Sequence, residues 1–270
     1  MDMKAEIASA IDSGKFTITD AYLPFTTACP KKCKHCYLDP KKPEHINDGV
    51  MDKFFKFLGQ AKHVKTLHID GGEPTMNKHA PQQLEHWIKH HNVSVRRIGL
   101  VTSDSNLNND TFYEPLNRLG ALISVSKNIY LLKSIDPEME ALDYSIMVNK
   151  AVNAAKSRYR NIGFAEKQFY TGEGQLLYPK GRALTMEGAE YYDWKTLVRE
   201  NPSLGFSRDF FEINLEAISV TTRGHILKPG IWSETEQRDP ENYFGDKSIL
   251  ETDMKEMVKE HGWDTRQLSY

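Results

Sequence analysis

The sequence predicts an α/β fold on a mainly parallel sheet, and three observations predict it. Hydrophobic residues at 39% against 27% charged describe a chain able to pack an ordinary globular core. Over the first half, short apolar runs alternate with amphipathic stretches, the rhythm of right-handed βαβ units. Two of the runs end at loops rich in chemistry, a cysteine cluster and Asp70-Gly71-Gly72. Parallel sheets place their sites at such carboxyl ends.

Taken in order, Phe16 to Phe25 mixes β-branched and aromatic residues and reads as a first strand that presents the cysteine loop. Asn47 or Asp48 can cap a helix through Leu58, with Val50, Met51, Phe54, Phe55 and Leu58 at helical spacing. Val64 to Ile69 is the next strand and Pro81 to His90 the next helix. Arg97 to Thr102 (strand), Thr111 to Leu119 (helix) and Leu122 to Val125 (strand) continue the pattern. Beyond Tyr170 the rhythm is lost, which sets a domain boundary near 170, extending at most to about 210. Phe211 to Val220 alternates as a strand, Arg223-Gly224 can turn, and His225 to Leu227 can return beside it. Ser248 and Glu251 form a capping-box pattern ahead of a last helix carrying Met254, Met257 and Val258, which Gly262 can end.

Lys+Arg 35 against Asp+Glu 37 leaves a net charge of -2, so no global positive field draws the chain to nucleic acid or anionic lipid. Residues 1–16 mix charges with short apolar stretches, contain no uninterrupted apolar h-region and do not read as a secretory signal, and no segment is long and apolar enough to span a membrane. The cysteine count is 3, all between Cys29 and Cys36, which argues against a disulfide framework and for a reducing cytoplasm.

Those three thiols follow the spacing C-x3-C-x2-C, tight enough for one loop to wrap three corners of an iron–sulfur cubane. With no fourth cysteine, one iron of a four-iron cluster would stay open to an external ligand. Structural zinc on Cys29, Cys33, Cys36 and His35 or His45 is the alternative, in a non-catalytic interaction module. At Gly71-Gly72-Glu73-Pro74-Thr75, paired glycines let backbone approach a ligand and a carboxylate suits an ammonium; a plain tight turn is the other reading.

Together the cysteine loop and this GGEP sequence resemble the radical S-adenosylmethionine (SAM) superfamily. The resemblance implies a partial (β/α)6 TIM-like barrel, one [4Fe–4S] cluster on Cys29, Cys33 and Cys36, and SAM bound through its amino and carboxylate groups to the open iron. It implies Gly71, Gly72, Glu73, Pro74 and Thr75 at the SAM amino group, His35 at adenine, and Ser124 and Ser126 at the ribose or carboxylate. Strand-end serines bonding to backbone is the plain reading of both. Thr102-Ser103-Asp104 departs from the Thr-Asn-Gly of similar proteins.

Tyr178 to Ala183 contains a Gly-Arg-Ala segment resembling the SPASM/Twitch group. It makes Arg182 a candidate for a SAM or substrate carboxylate, or for a salt bridge at the domain junction. Residues 171–270 would then form a small α+β carboxyl-terminal extension; Lys228-Pro229-Gly230 stands where that group places auxiliary-cluster cysteines, so it would carry no cluster. The implied substrate is a peptide or amino-acid-like molecule, with an electron donor such as flavodoxin or ferredoxin. No thiol is left to return a hydrogen, so crosslinking, decarboxylation or rearrangement ranks ahead of epimerisation. Modification of a nucleotide or RNA base, with Arg158, Arg160 and Lys167 as handle, is the runner-up.

Overall fold

The computed structural model describes residues 3–33, 36, 38, 42–104, 107–127, 136, 138–168, 176–177, 182, 190–191, 206–209, 212–228 and 237–261. Helix α1 (Met3–Asp12) leads into β1 (Phe16–Thr26), followed by α2 (Asp48–Leu58), β2 (His63–Gly71), α3 (Ala80–His90), β3 (Val95–Thr102), α4 (Asp110–Arg118), β4 (Leu122–Lys127), α5 (Ala141–Arg158) and β5 (Gly163–Gln168). Short strands β6 (Leu176–Leu177) and β7 (Glu190–Tyr191), then β8 (Phe206–Asp209), β9 (Glu212–Ser219) and α6 (Met254–His261), complete the described elements.

The main sheet runs β5-β4-β3-β2-β1-β9-β8; β1 to β5 and β9 are parallel, and β8 is antiparallel to β9. It is an α/β partial barrel that does not close. Successive right-handed crossovers put the helices on one face. That face carries Ala21, Leu23, Leu67, Ile69, Ile98, Leu100, Ile123 and Val125, all buried. The alternate positions Asp20, Tyr22, Thr66, His68, Asp70, Ser124 and Ser126 are half-buried and form the polar, open face. No helix among the described residues is long and apolar enough to cross a membrane.

Asn47 caps α2 as expected, its side chain accepting from the Gly49 N–H at 2.8 Å. Pro24 is tolerated in a central strand because it lies past the last β9 pairing, at Tyr22–Ser219, and at an irregularity against β2. Six of these elements had no forecast: α1, α5, β5 and the short strands β6, β7 and β8. In α1, Ile7, Ala10 and Ile11 join the core. In α5, Tyr144, Val148, Val152 and Ala155 are buried at helical spacing, but exposed Leu142 and Ile146 blur the stripe in the sequence. The β5 segment GFAEKQ has too little apolar alternation to announce a strand.

Two expectations are corrected. Strand β9 was assigned to an extension beyond 170, yet it pairs with β1 along Phe16–Ile213 to Tyr22–Ser219, so it is the sixth parallel strand of the main sheet. Ile213, Asn214, Leu215, Ala217 and Ile218 are buried, so both faces of β9 are covered. The capping box at Ser248 forms, with Glu251 Oε2 accepting from the Ser248 N–H at 3.1 Å, but it shapes a turn; the helix starts at Met254, where Asp253 accepts from the Lys255 N–H at 2.8 Å. Gly262 lies outside the described residues.

Candidate active site

The cysteine loop leaves the end of β1 through a neck that two buried threonines close. Thr26 Oγ1 donates to the Glu44 carbonyl at 2.7 Å, and the Thr27 N–H donates to the same oxygen at 2.8 Å. The Glu44 N–H in turn donates to Thr27 Oγ1 at 2.9 Å. Arg223 holds the Glu44 carboxylate through Nη2 at 2.7 Å and Nε at 3.1 Å, and Arg238 adds a contact at 3.2 Å. Side chains far along the chain therefore brace the loop's base.

Cys29, Cys33 and Cys36 are half-buried. The Cys36 N–H donates to the Cys33 carbonyl at 3.2 Å. Burial pushes the Cys29 thiol up from 9.0 to about 11, and the charges of Glu73, Cys36 and Cys33 push the same way, each acting on Cys29. Three thiols in one short loop are the donor set a cubane takes, each on a different iron. Among the described residues no three His, Cys, Asp or Glu side chains converge on a single ion, the three thiols included, so the cluster reading rests on the donor type and spacing of the loop. His35 lies outside the described residues; His45 bridges to Thr26 through its backbone.

The glycine turn packs directly on the approach to Cys29. The Gly72 N–H donates to the Thr26 carbonyl at 2.7 Å and the Glu73 N–H to the Ala28 carbonyl at 2.8 Å. Gly71 has a φ of +108, and a Cβ there would stand 2.2 Å from the Thr26 oxygen; at Gly72 it would stand 2.2 Å from the Ala28 oxygen. Only glycine fits both positions. Pro74 opens a 3-10 turn (Pro74–Met76) capped by Glu73, and Asn77 ties that turn back to the Phe25 carbonyl at 3.0 Å.

Glu73 is buried and fully engaged within the protein. One oxygen accepts from Thr102 Oγ1 at 2.6 Å and from the Thr75 hydroxyl and N–H at 2.9 and 3.3 Å; the other accepts from the Ser103 N–H and hydroxyl. Ser124 and Ser126 lie on the open face of β4, and their hydroxyls make no hydrogen bond among the described residues. Arg182 donates from Nε to the Cys33 carbonyl at 3.0 Å and from its backbone N–H to the Cys36 carbonyl at 2.9 Å.

Of the neighbouring residues, Tyr144, Asp20 and Tyr22 had no sequence signal. Tyr144 of α5 donates to the Ser126 carbonyl at 3.2 Å; burial, with Cys33 and Glu73 nearby, pushes its phenol up to about 12. On β1 and β2, His68 Nε2 meets Asp20 Oδ1 at 2.7 Å and the Tyr22 ring stacks on His68 at 4.6 Å. Burial raises the Asp70 carboxyl to about 6. Alternation along a strand could have placed these residues on one face, but not named that face as the open one. Arg158, offered as a nucleic-acid handle, instead pairs with Asp110 and Asn108 at the foot of α5.

No curated protein sequence matches the chain. Among solved structures, anSMEcpe with bound AdoMet aligns with a TM-score of 0.53 and 14% identity, over 92% of this chain and 79% of that one. The same protein with AdoMet and the Kp18Cys peptide gives 0.53 and 14%, over 91% and 82%. Streptococcus suis SuiB bound to its precursor peptide SuiA gives 0.41 and 12%, over 95% and 68%. At these identities the anSMEcpe likeness speaks for the fold. The sequence itself, over residues 23–162, which hold both the cysteine loop and the glycine turn, matches the family model described as the radical SAM superfamily. With that match across more than half its length, the chain belongs to the radical SAM superfamily and is an enzyme of that family.

Proposed function

We propose that the chain cleaves SAM reductively and takes hydrogen from a peptide or amino-acid-like substrate lying on the open face of the sheet. The observation that carries this reading is the joining of the Gly71–Thr75 turn to residues 26–28 by two backbone hydrogen bonds, which makes the cysteine loop and the turn one unit. Cys29, Cys33 and Cys36 would hold one [4Fe–4S] cluster, while the Gly71–Thr75 backbone, Ser124 and Ser126 would receive SAM. When bound, the two groups supply an electron and a cleavable sulfonium, and so a 5′-deoxyadenosyl radical able to abstract hydrogen.

The chain's own part is to position and to exclude water. Asp20, Tyr22, His68 and Asp70 line the open face with donors and acceptors suited to the amides and amines of a peptide. The peptide-bound structure of anSMEcpe, which shares the fold, supports this substrate class. With every cysteine used by the cluster, crosslinking, decarboxylation or rearrangement is favoured over epimerisation. A flavodoxin or ferredoxin would supply the electron.

The test is anaerobic reconstitution followed by reduction and chromatographic detection of 5′-deoxyadenosine. We expect about 4 irons per chain, as one cubane holds, and loss of both colour and cleavage in Cys33→Ala. Full cleavage by that variant would overturn the reading.

A further inference from the structure

We propose that Arg182 is a positioning residue for the cysteine loop, fixing the backbone carbonyls of Cys33 and Cys36 and bringing its positive charge to the loop. The inference rests on the reading that these cysteines carry the cluster. Three hydrogen bonds interlock there. The Cys33 carbonyl accepts from both the Cys36 N–H and Arg182 Nε, while the Cys36 carbonyl accepts from the Arg182 N–H. The loop is thus pinned at two of its three ligands by one residue 149 positions beyond Cys33.

The placement of Arg182 explains how it can serve as a fixed point. It lies between β6 and β7, which pair in parallel with Leu176 opposite Glu190 and Leu177 opposite Tyr191. Arginine suits the task because its planar guanidinium keeps its charge at every working pH and donates in a fixed direction. Three thiolates and a cluster that gains an electron accumulate negative charge, and a nearby cation favours the more negative, reduced state.

The experiment compares wild type, Arg182→Gln and Arg182→Lys, each reconstituted anaerobically and checked by circular dichroism. Iron per chain, iron release to a chelator, the electron paramagnetic resonance spectrum of the dithionite-reduced cluster without SAM, the midpoint potential and SAM affinity are measured. For Arg182→Gln we expect a more negative potential, an altered spectrum before SAM is added, and iron release faster by about tenfold, the worth of one bond from a charged donor. Arg182→Lys, which keeps the charge, should recover the potential but not the iron retention, and it serves as the test variant if the glutamine form does not fold. Unchanged potential, spectrum and iron retention would overturn the proposal. A loss confined to SAM affinity would overturn it as well, making Arg182 a SAM ligand. A wild type that binds no four-iron cluster would instead bring down the proposed function itself, before any variant is compared.

Discussion

Ser103 donates both its backbone N–H and its hydroxyl to one carboxylate oxygen of Glu73, at 2.7 and 2.5 Å. With Thr102 and Thr75 on the other oxygen, the donors outnumber the roughly four lone-pair positions of a carboxylate. Glu73 thereby joins the end of β2 to the end of β3, and it would serve SAM chiefly by holding the glycine backbone. Glu73→Gln turns an acceptor into an N–H2 group that faces donors. We expect a loss of about 1.5–3 kcal/mol in stability, with SAM affinity down by about one to two decades. Thermal denaturation without SAM separates the two effects: a carboxylate that served only the ligand would leave the melting temperature untouched.

Gly72→Ala should be among the most damaging single-methyl changes in the protein. Its Cβ would meet the Ala28 oxygen at 2.2 Å and the Thr27 oxygen at 2.7 Å, both backbone atoms on the approach to Cys29. Gly99→Ala is the control, since the nearest atom there is His68 Nδ1 at 4.0 Å. Iron content after reconstitution should collapse in the first variant and hold in the second.

Cys29 predicts a specific alkaline dependence. Its thiol is held up at about 11 against an ordinary 9.0, so the folded chain binds that proton more tightly than the unfolded chain does. The stabilisation is complete below pH 9 and disappears as pH rises through about 11. In iron-free protein, wild type should therefore lose melting temperature over this range faster than Cys29→Ser. Cluster assembly, which requires the thiolate, should accelerate by up to about tenfold per pH unit on the acid side of that range.

The opposite sign holds at Glu85, which links α3 to α4. Arg118 reaches its two oxygens with Nε at 2.9 and 3.1 Å and with Nη2 at 2.7 Å, and Lys89 adds a contact at 2.7 Å. Arg118 above all holds the carboxyl at about 2, below its ordinary 4.5. The contribution is present above pH 4.5 and lost as pH falls through about 2. Glu85→Gln should cost about 1–2 kcal/mol at pH 7, discounted for the exposed Arg118, with the difference vanishing near pH 2 in denaturant titrations.

The strand–helix alternation from Phe16 to Val125 was legible because its apolar residues keep one period at a time. The α5 helix was not, because Leu142 and Ile146 sit outside its buried stripe. The sequence shows β9 as a strand but carries no mark of its neighbour; position beside β1 is a long-range pairing that alternation cannot encode. Truncation after residue 205 therefore removes two strands, β8 and β9, from the main sheet, and we expect insoluble protein from it. The cysteine spacing and the glycine turn were visible as motifs. Their mutual hydrogen bonds, the Thr102–Ser103 grip on Glu73 and the hydrogen bonds from Arg182 to the cysteine loop were not, since each joins segments far apart in the chain.

The backbone hydrogen bonds from Gly72 to Thr26 and from Glu73 to Ala28 have a practical meaning for protein engineering. A cysteine loop borrowed from another enzyme would arrive with a different approach to its first thiol, and the recipient's glycine turn would no longer match it. The transferable cassette is residues 26–44 together with 71–77, exchanged as a pair, and grafts that move either part alone should assemble no functional centre.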